Sequence, residues 1–233
     1  QNAGSEGLLI TSNGVTLEDF AVEDAVGDAI KVKGAKGITF RRVRAEWTGG
    51  PKSTNGAYGF YPVSSTDVLI DGCIVRGASD AGVYVGQSKN IIVRNCLVEY
   101  NVAGIEIENC YYADVYNNIT AHNTGGILVF DLPGLPQQGG HHVRIFNNTV
   151  VNNDTKNFAP EGNIVGLVPT GTGLMLMANR HVEAFGNYFD GNGTGNVIIR
   201  AYYSVAKKKD DPNMDIYPEA VYVHDNIFGT GGF

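Results

Sequence analysis

A repeat of 22 residues constrains the fold of this chain more than any other feature. Segments that begin at Asp80, Val102 and Thr124 read DAGVYVGQ, VAGIEIEN and TGGILVFD, each with a glycine ahead of alternating aliphatic and variable residues. Alternation with a period of two is typical of a strand that buries one face. A constant period of roughly 20 to 50 residues is typical of a protein built from stacked units.

The repeat contains three predicted strands. Copies of the first strand start at Leu8, Ala29, Gly59, Gly82, Gly104, Gly126, Gly173 and Asn196. A second strand follows each copy, and a turn leads into a short third strand. One position of that turn is predicted to form an inward ladder of stacked side chains, and it holds Cys73, Cys96, Asn118, Asn148, Asn187 and Asn226.

These patterns predict an all-β protein, a right-handed, single-stranded parallel β-helix in one domain over residues 1–233. It would have about eight coils of ~22 residues, as the repeat indicates. An antiparallel β-sandwich is the alternative, but it requires hairpin turns that constant-length repeats fit poorly. Because strand edges at both ends of such a solenoid need covering, we expect the chain to be a piece of a longer protein or to be capped by another subunit or domain.

Composition narrows the possible partners. The net charge is −7, and the one tight basic run, Lys207–Lys209, is followed at once by two aspartates, so no nucleic-acid partner is predicted. No apolar run approaches the roughly 18 residues that a membrane-spanning helix needs. Three cysteines form no disulfide framework and are predicted to be buried thiols.

Four insertions interrupt the regular coils, over residues 46–57, 131–142, 152–172 and 200–219. Loops longer than roughly 12 residues in a compact protein are usually functional or disordered. All four flank the same column of first strands. We therefore expect them to form walls around a groove whose floor is the outer face of the first sheet.

Alternation along the first strands predicts which side chains face this groove. With Val83 and Val85 inward, Tyr84 faces outward, and its neighbours in adjacent coils share that orientation. The candidate catalytic residues are Tyr61, Tyr84, Lys31 and Glu106, and the candidate substrate-binding residues are Lys33, Glu108, Asp131, His141 and Trp47.

These residue types suit proton abstraction next to a carboxylate. A tyrosine would act as acid or base, a lysine would neutralise the substrate carboxylate, and the glutamates would position the substrate. The structural alternative is an ordinary exposed ladder of cross-strand pairs. Glu106 and Glu108 also resemble part of a calcium site, but calcium prefers roughly six to eight oxygen ligands and no Asp-rich loop supplies them. No metal or other cofactor is therefore predicted.

The segments SDAGVYVGQS, NVAGIEIENC and NTGGILVFDLPGLPQQGG resemble bacterial envelope proteins with parallel β-helix repeats, and the whole chain resembles the pectate-lyase-like superfamily. This resemblance implies a periplasmic or extracellular location and a carbohydrate ligand. Mannuronan epimerases of this fold carry a Tyr-Gly-x-Asp-Pro-His block. The matching frame here, Tyr58–Val63, has Tyr61 in place of the aspartate and Val63 in place of the histidine.

Other members of the superfamily differ more. The Gly-His-Gly turn of polygalacturonases is absent from the sequence, and their paired aspartates have no counterpart on the first strands. Pectate lyases use acidic calcium ligands and an arginine base, whereas this patch offers lysines and tyrosines. The resulting hypothesis is a carbohydrate-active enzyme, of the lyase or C5-epimerase type, that acts on an acidic polysaccharide. The alternative is a non-catalytic β-helix that binds a glycan or a protein.

Overall fold

A computed structural model describes residues 5–204 and 211–233 of the chain. The basic run Lys207–Lys209 lies outside the described residues. Within those residues, eight coils each contribute one strand to each of three parallel sheets.

The strands of the first sheet are Leu8–Ile10, Ile30–Lys33, Tyr58–Val63, Ala81–Gly86, Ala103–Glu108, Gly125–Phe130, Thr172–Met177 and Gly195–Arg200. Those of the second sheet are Thr16–Glu18, Lys36–Arg41, Thr66–Asp71, Lys89–Arg94, Tyr111–Tyr116, His141–Phe146, Arg180–Phe185 and Glu219–His224. The third sheet contains Ala21–Glu23, Arg44–Glu46, Ile74–Arg76, Leu97–Glu99, Ile119–Ala121, Thr149–Val151, Tyr188–Asp190 and Ile227–Phe228. Two 3₁₀ turns, Ile164–Leu167 and Tyr202–Ser204, lie in insertions.

Equivalent residues of successive coils pair directly. Val83 pairs with Ile105, which pairs with Ile127, which pairs with Leu174. All four are buried in one core cluster inside the solenoid. This register confirms the predicted single-stranded parallel β-helix, and stacking explains why no single coil has to bury its own apolar face.

The repeated glycine of the first strands is required by close packing between coils. An ideal Cβ on Gly104 would lie 2.4 Å from the carbonyl oxygen of Gly126 in the next coil. A side chain at this position would therefore collide with backbone atoms. This is why the glycine recurs at a fixed phase of the repeat.

An asparagine ladder occupies the turn between the second and third sheets, as predicted. The Oδ1 of Asn148 accepts hydrogen bonds from both nitrogens of Asn118, each at 3.0 Å, and its Nδ2 donates to Val115 O and to Asn187 Oδ1, each at 2.9 Å. A second ladder, which the sequence analysis missed, lies at the turn between the third and first sheets. It contains Asn101, Asn123, Asn153 and Asn192, whose amides are hydrogen-bonded in series at 3.0 to 3.1 Å.

The prediction of an open groove over the first sheet is wrong for the later coils. The outward residues Leu128, Phe130, Met175 and Met177 are fully buried, in a second apolar cluster. The insertions supply its cover through Val165, Val168, Met214 and Ile216. Because these outward positions are apolar, covering them removes hydrocarbon from water and stabilises the fold.

Among the described residues, the structure contains no helix with the length and apolar character needed to cross a membrane.

Candidate functional site

A group of tyrosines and carboxyls lies on the outer face of the first sheet, in the third to fifth coils. We call it the tyrosine–carboxyl cluster; its members are Tyr58, Tyr61, Tyr84, Asp80, Glu106 and Glu108. The strand register places Tyr84 directly beside Glu106, and Lys31 beside Tyr61. Both neighbour relations were predicted from the alternation of the first strands.

The three tyrosines pack against one another. Their ring centroids are 4.4 Å apart for Tyr58 and Tyr61, 4.7 Å for Tyr58 and Tyr84, and 4.9 Å for Tyr61 and Tyr84. The hydroxyl of Tyr84 donates a hydrogen bond of 2.6 Å to Glu108 Oε1. Gln87 Nε2 donates to the same oxygen at 3.0 Å. The Tyr84 hydroxyl is therefore committed to Glu108 rather than presented to a ligand.

Asp80 lies at the start of the neighbouring strand and has two hydrogen-bond donors. Its Oδ2 accepts hydrogen bonds from the Tyr58 hydroxyl at 3.3 Å and from Asn163 Nδ2 at 3.1 Å. Asn163 belongs to the 152–172 insertion, so this insertion closes over the carboxyl. Asp80 is only 6% exposed. Burial, reinforced by the nearby Glu108 and Asp28 charges, raises its pKa to about 7.

Glu106 lies deeper than the predicted groove floor. It is 1% exposed, and its Oε2 has no hydrogen-bond partner among the described residues. Burial, followed by the charges of Asp80 and Glu108, raises its pKa well above the usual range. Burial thus favours the neutral form of Glu106. The expectation that this side chain is open to substrate is wrong for the structure described here, because the side chain is buried.

The tyrosines stay protonated under the same influences. Burial raises the pKa of Tyr61 to about 12, with the charge of Asp28 as the next cause. Burial also raises the pKa of Tyr58 and of Tyr84, and nearby carboxyls add to both effects. These hydroxyls are hence proton donors rather than bases near neutral pH. Of the acid-or-base role expected for Tyr61 and Tyr84, only the acid role is compatible with these raised pKa values.

The accessible edge of the cluster combines an ion-paired lysine with an aromatic ring. Lys31 Nζ lies 4.5 Å from the centroid of the Tyr61 ring, 3.5 Å from Asp28 Oδ2 and 3.7 Å from Glu6 Oε1. The Lys31 side chain is 23% exposed, and Lys33, one pleat further along the strand, is exposed. Lys31 thus contacts the half-buried Tyr61 ring, and Tyr58 connects that ring to the Asp80 carboxyl by ring packing and a hydrogen bond.

The other three predicted binding residues lie elsewhere. Asp131 is buried and accepts backbone hydrogen bonds of 2.9 Å from Gly139 and Gly140, so it closes its own insertion. His141 belongs to the second sheet and stacks on Tyr111 at 4.4 Å between ring centroids. Trp47 is a core residue whose Nε1 donates to Ala25 O at 2.7 Å. The expectation that these three side chains line the first-sheet groove is wrong.

Sequence reasoning missed Tyr58, Asp80, Gln87 and Asn163. Tyr58 had a signal, since it opens the Tyr-Gly-x-x-Pro frame. Asp80 had a weaker one, because it directly precedes a repeat strand. Asn163 had none, since its contact with Asp80 joins residues 83 positions apart. In the described ranges, no three His, Cys, Asp or Glu side chains are arranged to hold a metal ion.

The parallel sheets and coil register define a β-helix, and comparison with known proteins places it in a family. The family model described as "Right handed beta helix region" matches residues 6–163, so the chain belongs to that family, and the predicted right-handed fold is confirmed. No curated protein matches the chain.

One similar solved structure is the Azotobacter vinelandii mannuronan C-5 epimerase AlgE6 A-module, with a TM-score of 0.69. The two sequences are 15% identical over 96% of this chain and 54% of that chain. This chain therefore spans about half the length of the epimerase module. At this identity the likeness shows a shared fold.

Proposed function

We propose that this protein is a periplasmic or extracellular carbohydrate-active β-helix that removes a proton next to the carboxylate of an acidic polysaccharide. One observation carries the proposal: the carboxyl of Asp80, with a pKa of about 7, is hydrogen-bonded to Tyr58, whose ring packs against Tyr61 at the accessible edge that also holds Lys31. The shared fold with a protein titled mannuronan C-5 epimerase supports this choice of reaction.

Asp80 acts as the base in this proposal. A general base works best when its pKa lies near the operating pH, and Asp80 meets that condition. The Asn163 amide leaves the Asp80 carboxylate when substrate binds, and the carboxylate then takes the proton from C5 of a uronate unit. The electron pair of the broken C–H bond moves toward the substrate carboxylate, whose growing charge the Lys31 ammonium stabilises.

Tyr61 acts as the acid. Its hydroxyl is protonated at neutral pH and lies at the half-buried edge of the cluster. Proton return from Tyr61 to the opposite face of C5 gives epimerisation. Alternatively, the electron pair forms a C4–C5 double bond, the O4 glycosidic bond breaks, and the leaving oxygen takes the proton, which gives elimination. Two groups with pKa values set apart by their environments suit this division of roles.

A panel of uronate polymers tests the proposal. Elimination is followed by the ultraviolet absorbance of the unsaturated product, and epimerisation by NMR ratios of the C5 epimers. Asp80→Asn and Tyr61→Phe are each expected to lower turnover by about 100-fold or more, in line with general acid–base catalysis. Tyr100→Phe, at an exposed tyrosine next to the third sheet, is the matched control and keeps full turnover. Flat traces and unchanged epimer ratios on every polymer would contradict the proposal.

A non-catalytic glycan-binding role is the second candidate. The burial of Glu106, Glu108 and Tyr84 favours it, because side chains that the fold covers are available for packing rather than for chemistry. Under this alternative the wild-type protein binds a uronate polymer without turnover, and Asp80→Asn binds it equally well.

A further inference from the structure

The outer face of the second sheet carries an open groove of about 800 Å³ that the first-sheet site does not use. Its lining comes from six successive coils, which corresponds to a length of about 24 Å at the ordinary spacing of strands. Asp67, Asn90, Tyr112, His142, His181 and Tyr222 are among the residues that line it. The groove is therefore long enough for an extended ligand that runs parallel to the axis of the solenoid.

One wall of the groove is a column of residues with left-handed backbone. The φ angles are 57° for Asp67, 55° for Asn90, 59° for Tyr112, 57° for His142 and 49° for His181. In the two preceding coils the same position is glycine, at Gly14 and Gly37, with φ of 69° and 71°. Asparagine and aspartate tolerate this conformation, whereas bulky residues adopt it at a cost of roughly 1 kcal/mol or more.

The column continues into the last coil at Ala220, with φ of 49°. The same left-handed backbone recurs outside the groove, for example at Arg42, Tyr100 and Ala178. It is therefore a feature of the coil turns, and the case for a ligand depends on the side chains that line the groove.

Two tyrosines of the groove expose much of their surface. Tyr112 is 54% exposed and Tyr222 is 60% exposed. They stand three coils apart, about 14 Å along the axis. They differ from the neighbouring ladder of Tyr116, Phe146 and Phe185, whose rings stack at 4.7 and 5.1 Å with interplanar angles of 10° and 5°. The ladder rings cover one another's faces. His224 likewise stacks on one face of the Tyr222 ring, at 4.0 Å between centroids, but Tyr112 and Tyr222 each keep more than half of their surface accessible to a ligand.

Each carboxyl that lines the groove has a basic partner. Arg144 donates two hydrogen bonds to Asp114, of 2.8 and 2.6 Å. The partners of the other two lie just outside the lining: Glu183 Oε1 is 3.1 Å from His224 Nε2, and Asp67 Oδ2 is 3.8 Å from Lys36 Nζ. Aliphatic and aromatic side chains supply much of the remaining lining. Because the charges are paired, such a surface suits an uncharged ligand with apolar faces and hydroxyl groups better than it suits a polyanion.

We propose that this second-sheet groove binds a neutral glycan chain. The chain lies along the solenoid axis, with pyranose faces on the Tyr112 and Tyr222 rings and hydroxyls hydrogen-bonded to Asn90, His142 and His181. Aromatic rings beside hydrogen-bonding groups match a sugar, which has apolar faces and a polar rim. The proposal is independent of the first-sheet chemistry, since the two sites share no residue.

Calorimetric titration with cellohexaose and xylohexaose as neutral probes, and with hexagalacturonate as the acidic probe, tests the proposal. Tyr112→Asn retains a residue that tolerates left-handed backbone, and Tyr222→Ala is a second variant on unstrained backbone. Each is expected to weaken binding of at least one neutral probe by about 5- to 10-fold, the worth of one aromatic contact. Tyr188→Ala is the control, at a tyrosine on the third sheet that is 40% exposed, and it leaves the Kd unchanged.

The absence of saturable binding by either neutral probe would overturn the proposal. So would neutral binding that both groove variants leave intact. Binding of hexagalacturonate alone, lost in Lys31→Gln and kept in Tyr112→Asn, would place the ligand on the first sheet; it would support the proposed function while rejecting this groove. If the wild-type protein sediments as a dimer and Tyr222→Ala dissociates it, the groove is an interface with a second copy of the chain. That result would also overturn the glycan proposal.

Discussion

Replacing Asp80 with asparagine is expected to stabilise the protein more at pH 8 than at pH 5. The carboxyl has an ordinary pKa of 3.8, and burial raises its pKa in the folded protein to about 7. Below pH 3.8 both states are protonated, and the stability that this group contributes is fully present. As the pH rises the unfolded chain ionises first, so that stability is lost progressively until the pH passes the folded value near 7. Asparagine does not titrate and escapes this loss.

The size of the effect follows from the two pKa values. Between pH 5 and the folded pKa, wild type loses about 1.4 kcal/mol for each pH unit, and the loss levels off above it. Over the interval from pH 5 to pH 8 the asparagine variant therefore gains about 3 kcal/mol relative to wild type. The Tyr58 and Asn163 contacts are available to either side chain, because an amide oxygen accepts the same hydrogen bonds.

Urea unfolding at both pH values measures this difference. Asp19→Asn is the control, because the Arg42 hydrogen bond lowers the pKa of Asp19, which is therefore ionised at both pH values. Its effect on stability is expected to be the same at pH 5 and pH 8. An Asp80→Asn effect that is likewise independent of pH would refute the account of Asp80, since it would mean that the carboxyl does not titrate in this interval.

The remaining predictions concern the packing that holds the site. Asn148→Ala removes four buried hydrogen bonds, two from Asn118 and one each to Val115 and Asn187, and is expected to cost about 4 kcal/mol in urea unfolding, whereas Asn226→Ala, at the half-buried end of the same ladder, costs less. Gly104→Ala places a Cβ against backbone of the next coil and is expected to lower the urea midpoint sharply; an unchanged midpoint would contradict the coil spacing. Trp47→Phe loses the hydrogen bond to Ala25 and is expected to cost about 1 kcal/mol, with no change in glycan binding.

The sequence was sufficient to predict the β-helix because its repeat and its strand alternation act together. The period of two decides which side chains point inward, and the 22-residue period decides which coils stack. The pairing of Val83 with Ile105, and of Tyr84 with Glu106, follows from these two periods alone. The asparagine ladder at the turn between the second and third sheets was predictable in the same way.

Burial at the site was not predictable in the same way. The segments that cover Leu128 come from insertions without periodicity, and their position depends on contacts such as those of Val165 and Met214. The outward positions of the later first strands, Leu128 through Met177, were apolar, which is the one signal that a cover was needed. Trp47 likewise follows a strand directly, and its ring turns into the core.

The titration of Asp80 depends most on tertiary structure. Its carboxyl owes its raised pKa to burial, and the insertion that contributes Asn163 helps to enclose it. A sequence pattern marks an aspartate ahead of a strand but not the residue that will cover it. The proposal that Asp80 rather than Tyr61 or Tyr84 is the base therefore required the structure.

The most direct test of the central claim is solvent deuterium incorporation at C5 of uronate oligomers incubated with the protein in D₂O, read by NMR together with the absorbance of unsaturated product. The account predicts that wild type gives C5 deuterium or an unsaturated end on at least one oligomer, and that Asp80→Asn gives at least about 100-fold less. Failure of wild type to label or cleave any uronate oligomer, or equal rates for wild type and Asp80→Asn, would contradict it.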